Sequence, residues 1–133
     1  MRLFELLGVI REHLELVERG DLEDPVDFLG VVHALQTACQ ALIDMASLVS
    51  ASLGSPPSTY YDAGVTLARE GAFDEEDLRI YRGIVGFRNV VVHGYLRVNR
   101  EAVVELVRSG RYRQVEELAL KVIAFAQQRG IDP

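Results

Sequence analysis

Residues 25 to 52, PVDFLGVVHALQTACQALIDMASLVSAS, decide the architecture. Their apolar side chains recur as Phe28, Val32, Leu35, Cys39, Leu42, Ala46 and Val49, the three-then-four rhythm of one buried helical face. The pattern runs until GSPPS, residues 54 to 58, where proline lacks an amide proton and disfavours helix in the residue before it. The stretch therefore reads as one long helix, and the rest of the chain is read against it.

Upstream, MRLFELLGVIREHLELVE interrupts its apolar positions with Glu5, Arg11 and Glu12 at helical spacing. This predicts an amphipathic helix over about 2–19, not a signal peptide or a membrane span, ended by Gly20 and the acidic turn DLEDP. Downstream, a short helix is expected over about 59–70, with Gly71 ending it. Asp74 then caps a fourth helix, and Asp77 three residues on places negative charge against the helix dipole. That helix runs to about Val92 or His93, before Gly94, and a last helical segment covers about 99–129 with a break at Ser109-Gly110. No strand signal, internal repeat or low-complexity linker intervenes. The expected fold is all-α, an up-and-down bundle of five to six helices in one domain spanning 1–133.

Composition agrees with a folded domain. At 133 residues the chain can bury roughly two thirds of its unfolded surface. Its 49% hydrophobic and 26% charged content lies far from the disordered class. The lone cysteine, Cys39, sits among apolar helical neighbours, which excludes a disulfide framework and a cysteine metal site. A cytoplasmic protein with a buried thiol and no membrane partner is expected. The net charge of -6 argues against a polyanion partner until its distribution is read. Residues 1–78 carry 4 basic and 15 acidic groups, whereas residues 79–113 carry 8 arginines against 2 glutamates. One segment is therefore basic within an acidic chain.

That segment contains the fourth helix. At about 100° per residue, Ile80, Ile84, Phe87 and Val91 form the expected core stripe. Tyr81, Val85, Arg88, Val92 and Tyr95 form a second stripe, about 90° round the helix. Arg79, Arg82, Gly86, Asn89 and His93 lie on the far side. Gly83 and Gly86 each cost about 1 kcal/mol relative to alanine in a helix interior, a cost that close approach of a second backbone would offset. The second stripe and the glycines together predict a homodimer.

Arginine, asparagine and histidine on one outward face suit chemistry at RNA. A near-neutral imidazole can move the 2'-hydroxyl or leaving-group proton. A guanidinium can bind the scissile phosphate in bidentate fashion and stabilise its developing charge. Three scattered histidines make no metal-ligand cluster, so a metal-independent cleavage is the expected reaction.

The run Arg88-Asn89-Val90-Val91-Val92-His93-Gly94-Tyr95 resembles the R-N-x-x-x-H-x-Y motif of the HEPN superfamily, and specifically its HepT-like toxins. LQTACQALIDMASLV, the proline-bearing loop and the short third helix are similar as well, so the resemblance covers about 28–125 of a single HEPN-like domain. It implies a homodimeric endoribonuclease toxin whose motif helices meet in one composite cleft. Arg88 and His93 would be catalytic, and Asn89 would orient or polarise the substrate. The family's partner is a minimal nucleotidyltransferase antitoxin that transfers AMP from ATP to the motif tyrosine. By that match the acceptor is Tyr95; ATP serves only the transferase, and the nuclease itself needs no cofactor.

Other positions carry weaker expectations. Arg79, Arg82, Arg97 and Arg100 are candidate RNA contacts. Asp44, with Gln36 and Gln40 at spacings of four, reads first as a solvated stripe and second as part of a cleft or interface. Tyr60 and Tyr61 read as loop anchors, with contact to RNA or antitoxin as the lesser alternative. His13 and His33 read as surface or interfacial. The motif also suits a non-catalytic nucleotide- or RNA-binding subunit of a minimal nucleotidyltransferase, or an interface that only holds a dimer together.

Overall fold

A computed structural model of the chain describes residues 2–93 and 99–132, with the side chains of 90–93 outside the description. Among the described residues there are six α-helices, one 3-10 turn and no strand. The helices are α1 (Arg2–Arg19), α2 (Pro25–Ser52), α3 (Tyr60–Arg69), α4 (Glu75–His93), α5 (Arg100–Arg108) and α6 (Gln114–Arg129), with the 3-10 turn at Arg111–Arg113 joining the last two. The predicted bundle and the break at Ser109-Gly110 are both present. Gly110 makes that break with a φ of 79°, a left-handed conformation that glycine adopts without a Cβ clash.

Local chemistry sets the helix ends. Asp24 caps α2 by accepting from Asp27 N at 2.9 Å, with Pro25 in the first turn, where a missing amide proton costs nothing. Thr59 Oγ1 accepts from Asp62 N at the start of α3, and Asn99 Oδ1 accepts from Ala102 N at the start of α5. Asp74 and Asp77 bond reciprocally across the start of α4. Asp77 N donates to Asp74 Oδ1 at 2.7 Å and Asp74 N donates to Asp77 Oδ2 at 3.0 Å. Lys121 on α6 then donates to both Asp77 oxygens, at 2.7 and 2.9 Å, tying the start of α4 to α6.

Helix α2 is the centre of the bundle. The predicted stripe is buried except for Phe28, which is partly so, but Val31, Ala34, Ala38, Ala41, Ile43 and Met45 are buried too. One buried face was expected; α1, α3, α4 and α6 all pack on α2, so most of its circumference is enclosed. Its length and hydropathy would suffice to cross a bilayer, yet half of the apolar window is packed inside the bundle, as a core helix requires. Cys39 is inside it, and burial pushes its thiol pKa up to about 12, so it remains an unreactive thiol.

On α4 the two apolar stripes differ from the sequence expectation. Tyr81 and Val85, assigned to a stripe that a lone chain would leave wet, are buried within this chain, Tyr81 completely. Ile84 is buried, while Ile80 and Phe87 of the expected core stripe are only partly so. Gly64 on α3 explains the exchange. A Cβ there would fall 2.4 Å from the Tyr81 ring, so its absence lets α3 lie close on α4 and cover the second stripe. Gly83 and Gly86 are exposed, with open space among the described residues where a Cβ would be.

Candidate active site

Arg88 is the centre of the polar features on this side of the bundle. Its guanidinium carbon sits 4.9 Å from the centroid of the Tyr60 ring, a stacked cation-π contact. Its Nε donates to Gln40 Oε1 at 2.6 Å, and Gln40 Nε2 donates to Asp44 Oδ1 at 2.8 Å. The stripe read chiefly as solvated is therefore one wall of a 420 Å³ cleft that Arg88 enters, with His33 and Gln36 beside it.

Tyr60 is itself held in place. The buried Tyr81 hydroxyl donates to the Tyr60 carbonyl at 2.7 Å, fixing the first residue of α3 against α4. Burial and, after it, the Asp44 carboxylate hold the Tyr81 phenol well above its ordinary pKa, so it stays a donor at any physiological pH.

Asn89, the next residue, is exposed and lines a second pocket of about 520 Å³ with Tyr60 and Tyr61. Tyr60 thus stands between Arg88 on one side and Asn89 on the other. Arg82 lies over the Tyr61 ring at 5.9 Å. Arg88, Asn89 and Arg82 are therefore gathered around the two tyrosines at the start of α3.

The other candidates are placed differently. Arg79 forms a two-point ion pair with Glu76 on the exposed face of α4. Arg100 donates to the Leu22 carbonyl at 2.9 Å and stacks 4.8 Å over Phe28, bracing the α1–α2 connection. The backbone of His93 belongs to the last turn of α4, five residues beyond Arg88. Its side chain, and Tyr95 and Arg97 entirely, lie outside the described residues. His13 Nδ1 is 2.8 Å from the Val9 carbonyl of its own helix.

Stacking of Tyr60 on Arg88 was not foreseen. Its signals were the Gln36, Gln40 and Asp44 periodicity and the adjacent tyrosines after the prolines, which sequence alone did not join.

A six-helix bundle around a long second helix, with an arginine-asparagine pair late in the fourth, defines a HEPN-type fold. Residues 3–122 match the family described as "Ribonuclease HepT-like", and the chain belongs to that family. A protein of Archaeoglobus fulgidus named "Putative RNase" is 31% identical over 123 residues, covering 92% of this chain and 88% of that protein. Among solved structures, the chain is similar to the tri-AMPylated HEPN toxin of Shewanella oneidensis in complex with its MNT antitoxin. The TM-score is 0.82 at 22% identity, over 92% of this chain and 97% of that one. It is also similar to YutE, a cytosolic protein of unknown function from Bacillus subtilis, with a TM-score of 0.84 at 14% identity over 96% and 90% of the two chains.

Proposed function

We propose that this chain is a metal-independent endoribonuclease toxin, cytoplasmic and homodimeric, silenced when a minimal nucleotidyltransferase antitoxin transfers AMP from ATP to Tyr95. Membership of the HepT-like ribonuclease family supports the ribonuclease, and the likeness to a HEPN toxin bound to its antitoxin supports the partner. The observation that carries the chemistry is Arg88, stacked on Tyr60 and bonded through Nε alone among the described residues. Its terminal nitrogens are left to take two oxygens of a phosphate.

In the proposed reaction the 2'-hydroxyl loses its proton to a His93 imidazole and its oxygen bonds to phosphorus. The bond from phosphorus to the 5'-oxygen breaks, and that oxygen takes a proton from a second imidazole. The products are a cyclic 2',3'-phosphate and a 5'-hydroxyl. Two motif helices meeting across a dimer would supply both imidazoles, and Arg88 would neutralise charge on the phosphoryl oxygens.

Cleavage of RNA should persist in EDTA and fall by at least about a hundredfold in His93→Ala, the scale of a lost general acid or base. Tyr95→Phe should cut RNA yet resist AMP transfer, read by mass spectrometry. Undiminished cutting by His93→Ala removes the catalytic assignment. RNA binding without any cutting by the wild type would instead support a non-catalytic nucleotide- or RNA-binding subunit.

A further inference from the structure

Tyr60 borders two cavities that differ in charge. On its Arg88 side the cleft is lined by Arg88, Asp44, His33 and two glutamines together with Leu6, Val9 and Ala41, and Arg88 is the group there that pairs with a phosphate. On its Asn89 side the 520 Å³ pocket is lined by the Tyr60 and Tyr61 rings, by Pro57 and Val85, and by the Asn89 amide and small hydroxyls. No carboxylate, guanidinium or ammonium lines that second pocket among the described residues.

We infer that the Asn89 pocket is a nucleobase subsite, taking the base attached to the phosphate that Arg88 binds. The inference rests on the ribonuclease reading and names the part of the substrate that this surface recognises. A flat, uncharged ring with hydrogen-bonding edges matches two aromatic walls and an amide that can both donate and accept. A phosphate or a peptide carboxylate does not, since it would lose hydration without gaining a cation. Arg88 and Asn89 are consecutive on α4, about 100° apart, and Tyr60 borders both cavities. A base and its own phosphate are likewise joined through one sugar, so a single nucleotide can straddle Tyr60. Arg82 over Tyr61 adds positive charge beside the ring without entering the pocket, which favours a polyanion strand over a free base. Base stacking between protein aromatics targets unpaired nucleotides, so the substrate is single-stranded at this position.

The test uses the full chain in its native oligomeric state and a single-stranded 2'-O-methyl ribo-oligonucleotide carrying one 2-aminopurine, which lacks the attacking hydroxyl. Stacking in the pocket should quench the fluorophore. Tyr61→Ala should weaken binding about tenfold to a hundredfold, the scale of one lost base–aromatic stack, and Tyr61→Phe should restore it. Ser47→Leu fills the pocket from α2 with a good helix former and should abolish the quench with α3 untouched. If the wild type cuts RNA while Tyr61→Ala and Ser47→Leu bind, quench and select nucleotides as it does, the subsite is overturned and the nuclease stands. If the wild type quenches in a Tyr61-dependent way but cuts nothing, the nuclease reading fails and the subsite stands.

Discussion

Arg88 Nε on α4 donates to Gln40 Oε1 on α2 at 2.6 Å, and the far side of the same amide fixes which way Gln40 faces. Gln40 Nε2 is taken by Asp44 Oδ1 at 2.8 Å, so the carboxylate holds the amide nitrogen and turns the oxygen toward arginine. A flipped amide would set two donors face to face at Arg88 and two acceptors face to face at Asp44. With Tyr60 against its face as well, the guanidinium is restrained from two sides.

Gln40→Met and Asp44→Ala should therefore slow cleavage by about tenfold to a hundredfold in kcat, the scale of a hydrogen bond to a charged group. KM should change little. Because Asp44 acts through Gln40, the double variant should be no worse than Gln40→Met alone. Additive losses, or equal losses in thermal stability, would mean that these residues do not act on Arg88 in series.

Gly64→Ala should destabilise the fold by about 1–3 kcal/mol, since its Cβ would fall 2.4 Å from a fully buried ring that cannot retreat. The urea midpoint should drop with an unchanged slope. Tyr81→Phe keeps the packing and loses only the bond to the Tyr60 carbonyl, about 1 kcal/mol. A neutral Gly64→Ala would show that α3 can slide along α4.

The helix boundaries were legible because each is fixed by local chemistry: Pro25 and Asp24 at α2, Asp74 at α4, Gly110 before the 3-10 turn. Arg88 and Asn89 stood out through their match to the family's motif, and the structure sets both beside Tyr60. Which α4 stripe faces inward was not, because that depends on Gly64, a residue in another helix that acts by lacking a side chain. The Asp44 stripe had the same difficulty. Polar groups at every fourth position look identical whether they are solvated or, as at Gln40, bonded to an arginine 48 residues away, and only the packing of α4 on α2 decides.

Asp77 should give the stability an acid-sensitive component. Burial alone would raise its pKa, but the Lys121 ammonium and the hydrogen bonds with Asp74 outweigh it, so the folded-state value lies below the ordinary 3.8. The unfolded chain then binds a proton more readily than the folded one. The contribution is fully present above about pH 4 and is lost as pH falls through the depressed value. Asp77→Asn should lower stability by about 1 kcal/mol at pH 7, the scale of a capping interaction. The difference from wild type should shrink in unfolding curves taken toward pH 2. A deficit that stays constant across that range would place the cause in packing, not charge.

Gly86 gives the sharpest test of the dimer, because its two possible surroundings predict opposite signs. It is exposed on α4 with open space at the Cβ position, between Arg82 and Asn89 on the same outward face. If that face meets only water, Gly86→Ala should stabilise the helix by up to about 1 kcal/mol and leave activity alone. If a second copy's α4 approaches there, as the proposed composite cleft requires, an added side chain holds the two backbones apart. Gly86→Leu should then convert a two-chain species to one chain in light scattering at micromolar concentration. RNA cleavage should vanish with it, since neither copy alone would bring two His93 imidazoles together. The isolated chain should keep its helical circular dichroism, because among the described residues a Cβ at Gly86 would meet nothing within 4 Å beyond its own helix and chain neighbours. A variant that remains dimeric and active would place the interface on another surface, and the catalytic histidines would then have to be supplied within one chain.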